Sequence, residues 1–147
     1  MADAAQAKGS EASVDGAGLA RGWLESSAFV AHLGIELREL TPGRALLAMP
    51  YREELPTMGD VVHGGAISAL IDTAAAAAAW SGAEVPERPR ASTVGLTVDF
   101  LSAARGQGVT AEAKVLRRGG TGLCFCEVNV SADDGREVAI ALVTYQL

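Results

Sequence analysis

The chain has 147 residues, 49% of them hydrophobic and 20% charged, which is the composition of a single globular domain. Its formal net charge of −6 argues against non-specific binding to nucleic acid or to an anionic membrane. No apolar run reaches the roughly 18 residues of a transmembrane helix. Residues 1–18 also lack the apolar core of a signal peptide. We therefore expect a cytoplasmic protein without membrane or nucleic-acid partners.

The two cysteines indicate a reduced protein. Cys124 and Cys126 lie two residues apart in a predicted strand, so their side chains point to the same face of it, about 7 Å apart. That separation is too large for an easy disulfide. We expect neither a disulfide nor a zinc site.

The N-terminal region changes character after about 16 residues. Residues 1–16 are mostly small or acidic, and this composition predicts a disordered tail. The globular domain then covers 17–147. Apolar residues at loosely helical spacing predict a short amphipathic helix over 19–30, whose simplest role is that of a lid or packing helix.

The remaining pattern is that of a sheet with one long helix. Two short strands over 33–40 and Arg44–Met49 flank a turn at 41–43, and a loop over 50–62 leads to a helix over 66–81. The order β-β-α-β-β-β-β, with short connections, predicts an α+β fold in which an antiparallel sheet packs on the helix. Four strands follow the helix, the first three with apolar residues on one face and the last apolar throughout: 94–100, 109–115, 124–130 and 138–145.

The predicted central helix contains a single charged residue between positions 66 and 80, Asp72. Six consecutive alanines at 74–79 would let a strongly curved sheet wrap tightly around it, although they also simply favour helix formation. Since the helix is apolar on nearly every side, it is expected to be buried, and a buried carboxylate is costly unless it is paired or hydrogen-bonded. Asp72 is therefore a structural carboxylate satisfied by the sheet, a residue at a subunit interface, or a catalytic acid or base.

The sequence His63-Gly64-Gly65 opens this helix. Two glycines leave backbone N–H groups uncovered by side chains, and the helix dipole adds positive potential there. Such a helix end can hold a phosphate, a carboxylate or a developing oxyanion. Taken alone, Gly-Gly is also an ordinary turn into a helix, and His63 is equally typical of a hydrogen-bonded structural histidine.

The stretch from His63 to Ala74 closely resembles the signature of the hotdog-fold thioesterases, in their phenylacetic-acid-degradation (PaaI-like) branch. There a His-Gly-Gly turn opens the central helix and an Asp follows nine residues after the His, as Asp72 does here. The resemblance covers roughly 28–147 and implies a hotdog fold, a curved antiparallel sheet wrapped around one long central helix. Flanking segments that share it are 33–35, 92–101 and 117–120.

The resemblance also implies roles for individual residues. Asp72 would activate water or attack a thioester carbonyl directly, acting across a dimer interface on a substrate held by the other subunit. Gly64 would offer its backbone N–H to the carbonyl oxygen, His63 would order the turn, and Thr93 would help to hold the water or the carboxylate. The remaining substrate-binding candidates, several of them in segments that touch the nucleotide and pantetheine arm of CoA, are Gly65, Thr57, Phe100, Arg105, Arg117, Arg118, Gly119, Gly120 and Thr121.

The arginines among these candidates suit the phosphates of CoA, although they are equally typical of solvated turns. Three positions depart from the family pattern. Thr57 stands where relatives usually carry Asn, and Asp60 where they often carry Gly, with Gly59 displaced by one. Ala76 stands where they often carry Ser or Thr, one turn after the carboxylate. Either the activity is modest, or Thr57 and Thr93 supply the missing hydrogen bonds.

The sequence thus predicts a homodimeric or homotetrameric acyl-CoA thioesterase that converts an acyl- or aryl-CoA to a free acid and CoA, with no metal or redox cofactor. One alternative is a hotdog hydratase, although the Asp-x-Asn-Pro-x-His pattern of the MaoC-like hydratases is absent. The other is a non-catalytic acyl-CoA-binding module, which the missing Asn would allow. The acyl group itself is not determined by the sequence.

Overall fold

The computed structural model describes residues 13–86 and 89–147, so residues 1–12 of the expected tail lie outside the described part. Residues 13–16, which belong to the same expected tail, are already part of a strand and a helix. The helices are α1 Gly16–Ser26, α2 Ala28–Leu33 and α3 Gly64–Trp80. The strands are β1 Ser13–Asp15, β2 Glu36–Thr41, β3 Arg44–Met49, β4 Pro56–Met58, β5 Val61–Val62, β6 Glu84–Pro86, β7 Ser92–Phe100, β8 Val109–Arg118, β9 Leu123–Ala132 and β10 Glu137–Gln146.

The N-terminal segment forms two helices, so the prediction of a single helix over 19–30 was wrong. Asp15 caps α1 by accepting hydrogen bonds from two backbone N–H groups of the first turn. The helical run breaks at Ser27, whose backbone is extended and whose Oγ caps α2. Gly34 ends α2 in the left-handed conformation (φ 67°), where glycine is favoured, and β2 therefore starts later than predicted, at Glu36.

Six strands form one antiparallel sheet in the order β2-β3-β8-β9-β10-β7. The four predicted strands after the helix are confirmed, and the inward faces of β8 and β9 are buried. Two short antiparallel pairs, β1-β6 and β4-β5, lie outside this sheet. The pair β4-β5 falls within the region predicted as a loop over 50–62.

The central helix α3 packs on the inner side of this sheet, mainly against β3, β8 and β9. It spans 17 residues, or about 25 Å. The alanines at 74–79 are all buried, at most 6% exposed, so neighbouring elements pack closely around this part of the helix. The predicted α+β architecture, one long helix against an antiparallel sheet, is confirmed. Within the described residues, no helix has both the length and the apolar character needed to cross a membrane.

The last strand differs from the prediction that it is buried throughout. Residues of β10 that face the helix are buried, but Ile140 and Leu142 point outward and are 39% and 61% exposed. The outer side of the sheet carries no covering layer of described residues at this position. The strand is therefore apolar on a face that α3 does not cover.

The edge strand β7 contains a β-bulge that determines where one predicted site residue points. Thr93 and Gly95 pair with the adjacent residues Tyr145 and Thr144, so Val94 is an extra, unpaired residue. Strict alternation from the inward-facing Leu96 would send Thr93 to the outer face. The bulge reverses this and turns Thr93 toward α3.

Candidate active site

The N-terminal end of α3 is capped by its own histidine. His63 Nδ1 accepts a hydrogen bond from the backbone N–H of Gly65 at 2.7 Å. The expectation that both glycine N–H groups are free was therefore wrong for Gly65. Gly64 N–H makes no hydrogen bond to any residue that the structure describes, and it is the open donor at the positive end of the helix dipole.

Both positions leave little space for a side chain. A Cβ added at Gly65 would lie 2.9 Å from His63 Nδ1, which would disrupt the cap. A Cβ added at Gly64 would lie 3.2 Å from Cζ of Phe100. The ring of Phe100 thus rests against the backbone of Gly64, and any side chain there would push the ring away.

A pocket of about 360 Å³ opens beside Gly64. It brings together three of the predicted site residues, Thr57, Gly64 and Phe100. Arg105 lies at its border, where its guanidinium forms a largely exposed ion pair with Asp60 at 3.3 Å. The other lining residues are Val61, Val62, Ile67, Leu101, Ser102, Ala103 and Ala104.

Asp72 lies near the middle of α3, on a partly exposed stripe of the helix. Thr93 Oγ1 donates a hydrogen bond to Asp72 Oδ1 at 2.5 Å. Oδ2 has no hydrogen-bond partner, and the carboxylate no ion pair, within 13–86 and 89–147. The sheet therefore satisfies one oxygen of the carboxylate and leaves the other available.

A single chain does not bring Asp72 and Gly64 to one point. The two residues are eight positions apart on the same helix, which corresponds to about 12 Å along its axis. Both would have to lie within about 3 Å of one carbonyl group in order to act on it together.

The predicted residues on the β8-β9 hairpin lie at the other end of α3. Arg118 donates to the backbone oxygens of Ala79 at 2.7 Å and Ser81 at 2.8 Å. It therefore caps the C-terminal end of the helix, about 22 Å from Gly64 in the same chain. Arg117 is exposed, and the loop formed by Gly119, Gly120 and Thr121 follows it.

The cysteines do not offer a nucleophile. Burial, and secondarily the neighbouring Cys124, raises the pKa of the Cys126 thiol to about 11. Burial also raises the pKa of Cys124, against the opposing charge and hydrogen bond of Arg118. Both thiols stay protonated at neutral pH, and only the thiolate is strongly nucleophilic.

Sequence reasoning missed one polar pair near Asp72. Trp80 Nε1 donates to the hydroxyl oxygen of Tyr145 at 3.0 Å, and Tyr145 pairs across the sheet with Thr93. The available signal was Trp80 itself, the only bulky side chain of α3 beyond Asp72. No sequence signal linked it to Tyr145, because the two residues are 65 positions apart.

The chain has clear relatives. The sequence pattern of the thioesterase superfamily matches residues 59–139, which contain the His63 turn, Asp72 and the edge strand. A Halobacterium salinarum protein described as an esterase is 32% identical over 142 residues, covering 90% of this chain and 93% of the relative.

Two solved structures share the fold. The PaaI protein of the Escherichia coli phenylacetic acid degradation operon matches with a TM-score of 0.77 and 25% identity, over 89% of this chain and 92% of PaaI. A thioesterase-like protein from Streptococcus pneumoniae, solved with coenzyme A, matches with a TM-score of 0.67 and 20% identity, over 76% of this chain and 84% of that one. The family pattern, the relative and the shared architecture agree: the chain belongs to the thioesterase superfamily and has the hotdog fold.

Proposed function

We propose that this protein is an acyl-CoA thioesterase that hydrolyses an acyl- or aryl-CoA thioester to a free acid and CoA. The observation that carries the proposal is the state of Asp72. Its carboxylate has one oxygen fixed by Thr93 and the other free, beside an uncovered stripe of a helix whose N-terminal N–H is also free. A free carboxylate oxygen and a free backbone donor are the base and the oxyanion site that thioester hydrolysis requires.

The two groups act together if they come from different subunits. Because Asp72 and Gly64 lie about 12 Å apart on one helix, a single chain cannot place both on the same carbonyl. A homodimer related by a two-fold axis solves this, since each subunit can supply Asp72 to one site and Gly64 to the other.

The edge strand provides the surface for such a dimer. β7 is nine residues long, largely exposed and unpaired along its outer edge within the described chain. Phe100, at one end, touches Gly64, and Thr93, at the other end, touches Asp72. Antiparallel pairing of β7 with its copy, centred near Leu96, would set Phe100 opposite the partner's strand start. Gly64 of one subunit would then lie beside Asp72 of the other.

The same pairing would bring the CoA-binding candidates together. Ser92, Gln146 and Leu123 are neighbours across the sheet, so the β8-β9 hairpin lies at the end of the sheet where β7 starts. In the dimer this end adjoins the partner's pocket. Arg117 on the hairpin and Arg105 at the pocket border would then face one ligand and could bind its phosphates, while Arg118 is already engaged by helix carbonyls.

The reaction needs only water and the thioester. Asp72 Oδ2 takes a proton from a water molecule as the water oxygen bonds to the carbonyl carbon. Gly64 N–H of the partner subunit and the positive end of its α3 stabilise the negative carbonyl oxygen. The intermediate then collapses, the carbon–sulfur bond breaks, and the sulfur of CoA leaves with the proton that Asp72 carried. No metal or redox cofactor enters these steps.

Thiol release from a panel of aryl-, short-chain and medium-chain acyl-CoA substrates tests the proposal. We expect release with at least one substrate, and loss of release in Asp72→Asn. After single turnover in ¹⁸O water, label recovered in Asp72 would identify a nucleophile, because a base leaves Asp72 unlabelled. Binding of acyl-CoA without thiol release would instead identify a non-catalytic binding module.

A further inference from the structure

Trp80 and Tyr145 form a polar pair that the proposed mechanism does not use, and Tyr145 is the cross-strand neighbour of Thr93, which donates to Asp72. Tyr145 is 7% exposed, and its hydroxyl oxygen accepts the hydrogen bond from Trp80 Nε1 at 3.0 Å. Tyr145 lies directly opposite Thr93, whose hydroxyl donates to Asp72. The side chains of Tyr145 and Thr93 therefore leave the sheet on the same face, with Cβ atoms about 5 Å apart.

The hydroxyl of Tyr145 can still donate one hydrogen bond. Because Trp80 donates to its oxygen, the hydroxyl hydrogen needs a separate acceptor, and none lies within hydrogen-bond distance among the described residues. Burial raises the pKa of Tyr145, and the negative charge of Asp72 acts in the same direction, so the phenol keeps its proton at neutral pH. Tyr145 is thus a buried donor without an acceptor, near a carboxylate with a free oxygen.

The helix offers these two groups no hydroxyl at the position one turn after Asp72. Ala76 stands there and contributes only a methyl group. This position of α3 therefore does not supply the missing partner of Tyr145 or of Asp72 Oδ2. A water molecule between the two groups would accept from Tyr145 and donate to Asp72 Oδ2, which satisfies both groups.

We propose that Tyr145, oriented by Trp80, is a positioning residue for the water molecule that Asp72 deprotonates. The inference rests on the proposed thioesterase function. The hydroxyl donates its hydrogen to the water, and the water donates one of its own to Asp72 Oδ2. The remaining lone pair of the water is then directed at the thioester carbonyl, and Tyr145 keeps its proton throughout.

Trp80 acts in this arrangement only through Tyr145. It lies eight residues after Asp72, about 12 Å along the helix axis, and makes no hydrogen bond to it. Its indole N–H occupies one lone pair of the tyrosine oxygen and so fixes the direction in which the hydroxyl hydrogen points.

Tyr145→Phe tests the hydroxyl while keeping the ring. We expect kcat to fall about tenfold with KM changed less than twofold, because the water is used in the chemical step and not in substrate binding. The matched control is Tyr51→Phe, which removes a hydroxyl from the other tyrosine, a partly buried residue outside the site, and is expected to leave kcat unchanged. Thermal unfolding of both variants checks that the fold is retained.

Trp80→Phe, made both in the wild type and in Tyr145→Phe, tests whether Trp80 acts through Tyr145. We expect about a threefold loss of kcat in the wild type, where the hydroxyl remains but is no longer oriented, and no further loss in Tyr145→Phe. Trp23→Phe, on α1, is the control for replacing a tryptophan. A purely structural role for Trp80 would lower kcat by the same factor in both backgrounds.

The outcomes separate this inference from the proposed function. If Asp72→Asn abolishes thiol release while Tyr145→Phe keeps more than half of kcat, the thioesterase assignment stands and the role of Tyr145 is overturned. Equal losses from Trp80→Phe in both backgrounds overturn the orienting role of Trp80. If Asp72→Asn is as active as the wild type, the proposed function fails, and this inference fails with it.

Discussion

The two ends of α3 differ in how completely the chain satisfies them. At the C-terminal end, Arg118 donates to two backbone oxygens of the final turn and the residue after it. Ser81 is fully buried there, and its hydroxyl lies within hydrogen-bond distance of the carbonyl oxygens of Thr41 and Ala78. The negative end of the helix is thus closed by residues of the same chain.

At the N-terminal end, the backbone N–H groups of Gly65, Ala66 and Ile67 all have acceptors on His63, and one donor stays open. His63 holds Gly65, while Gly64 N–H stays open beside a pocket. Side chains of the chain itself thus satisfy the negative end of the helix, whereas the positive end keeps one open donor, of the kind that binds anionic or partly negative groups. The following substitutions test that division, from the largest expected effect to the smallest.

Asp72→Asn removes the proposed base from the N-terminal part of the helix. We expect kcat to fall at least about 100-fold, while the amide keeps the shape of the side chain and an oxygen for Thr93. Acyl-CoA hydrolysis and thermal unfolding are the measurements. Asp99→Asn, on the exposed outer face of β7, is the control and should be fully active. More than half of the wild-type kcat in Asp72→Asn would contradict the assignment.

Gly64→Val tests the open donor and its subunit of origin. The new side chain would collide with Phe100 and cover the N–H, so we expect about a 100-fold loss of kcat. Co-expression with Asp72→Asn should restore about one quarter of wild-type activity, because half of the dimers are mixed and one of their two sites is intact. Mixed dimers as inactive as either parent would contradict a site shared between subunits.

Ser81→Ala acts on the closed end. It removes a fully buried hydroxyl that also accepts from Gly43 N–H, and we expect a loss of about 1–3 kcal/mol in the free energy of unfolding. The kcat of the folded enzyme should not change, which chemical denaturation and kinetics can measure on one sample. Ser26→Ala, on the exposed end of α1, is the control and should be close to neutral. A loss of kcat without a loss of stability would contradict a purely structural role for the C-terminal end of α3.

Thr57 tests the wall of the open pocket, with the smallest expected effect. Asn at this position has a longer reach and both donates and accepts, so Thr57→Asn should raise kcat/KM several-fold, about the value of one hydrogen bond. Thr57→Val keeps the shape, removes the hydroxyl and should lower kcat/KM. If both variants match the wild type, Thr57 lines the pocket without contacting the reacting group.

Local patterns in the sequence single out the residues at the centre of the candidate site. Two glycines after His63 and a lone carboxylate nine residues later depend only on helix geometry and charge, and both are visible in consecutive residues. The strands after the helix were also predicted from local evidence, the alternation of apolar residues within each segment. The fold class followed because one long helix and several short strands have few ways to bury their apolar faces.

The features that sequence reasoning missed depend on contacts between distant residues. The bulge at Val94 exists because Thr93 and Gly95 pair with consecutive residues of β10, which alternation within β7 cannot reveal. The helical run breaks at Ser27 because its side chain caps α2, which requires an extended backbone at that residue. The exposed outer face of β10 was predicted as buried because hydrophobicity alone does not say whether a second layer covers a strand.

The alanine run in α3 has a consequence for how this protein can diverge. Every residue of 74–79 is buried, and a side chain one methylene larger would have to displace a neighbouring element, at a cost of about 1–3 kcal/mol. We therefore expect substitutions to accumulate outside 74–79. Changes to the pocket beside Gly64 are accessible through substitutions in the loop before α3 and at Phe100, which line it without belonging to the alanine run.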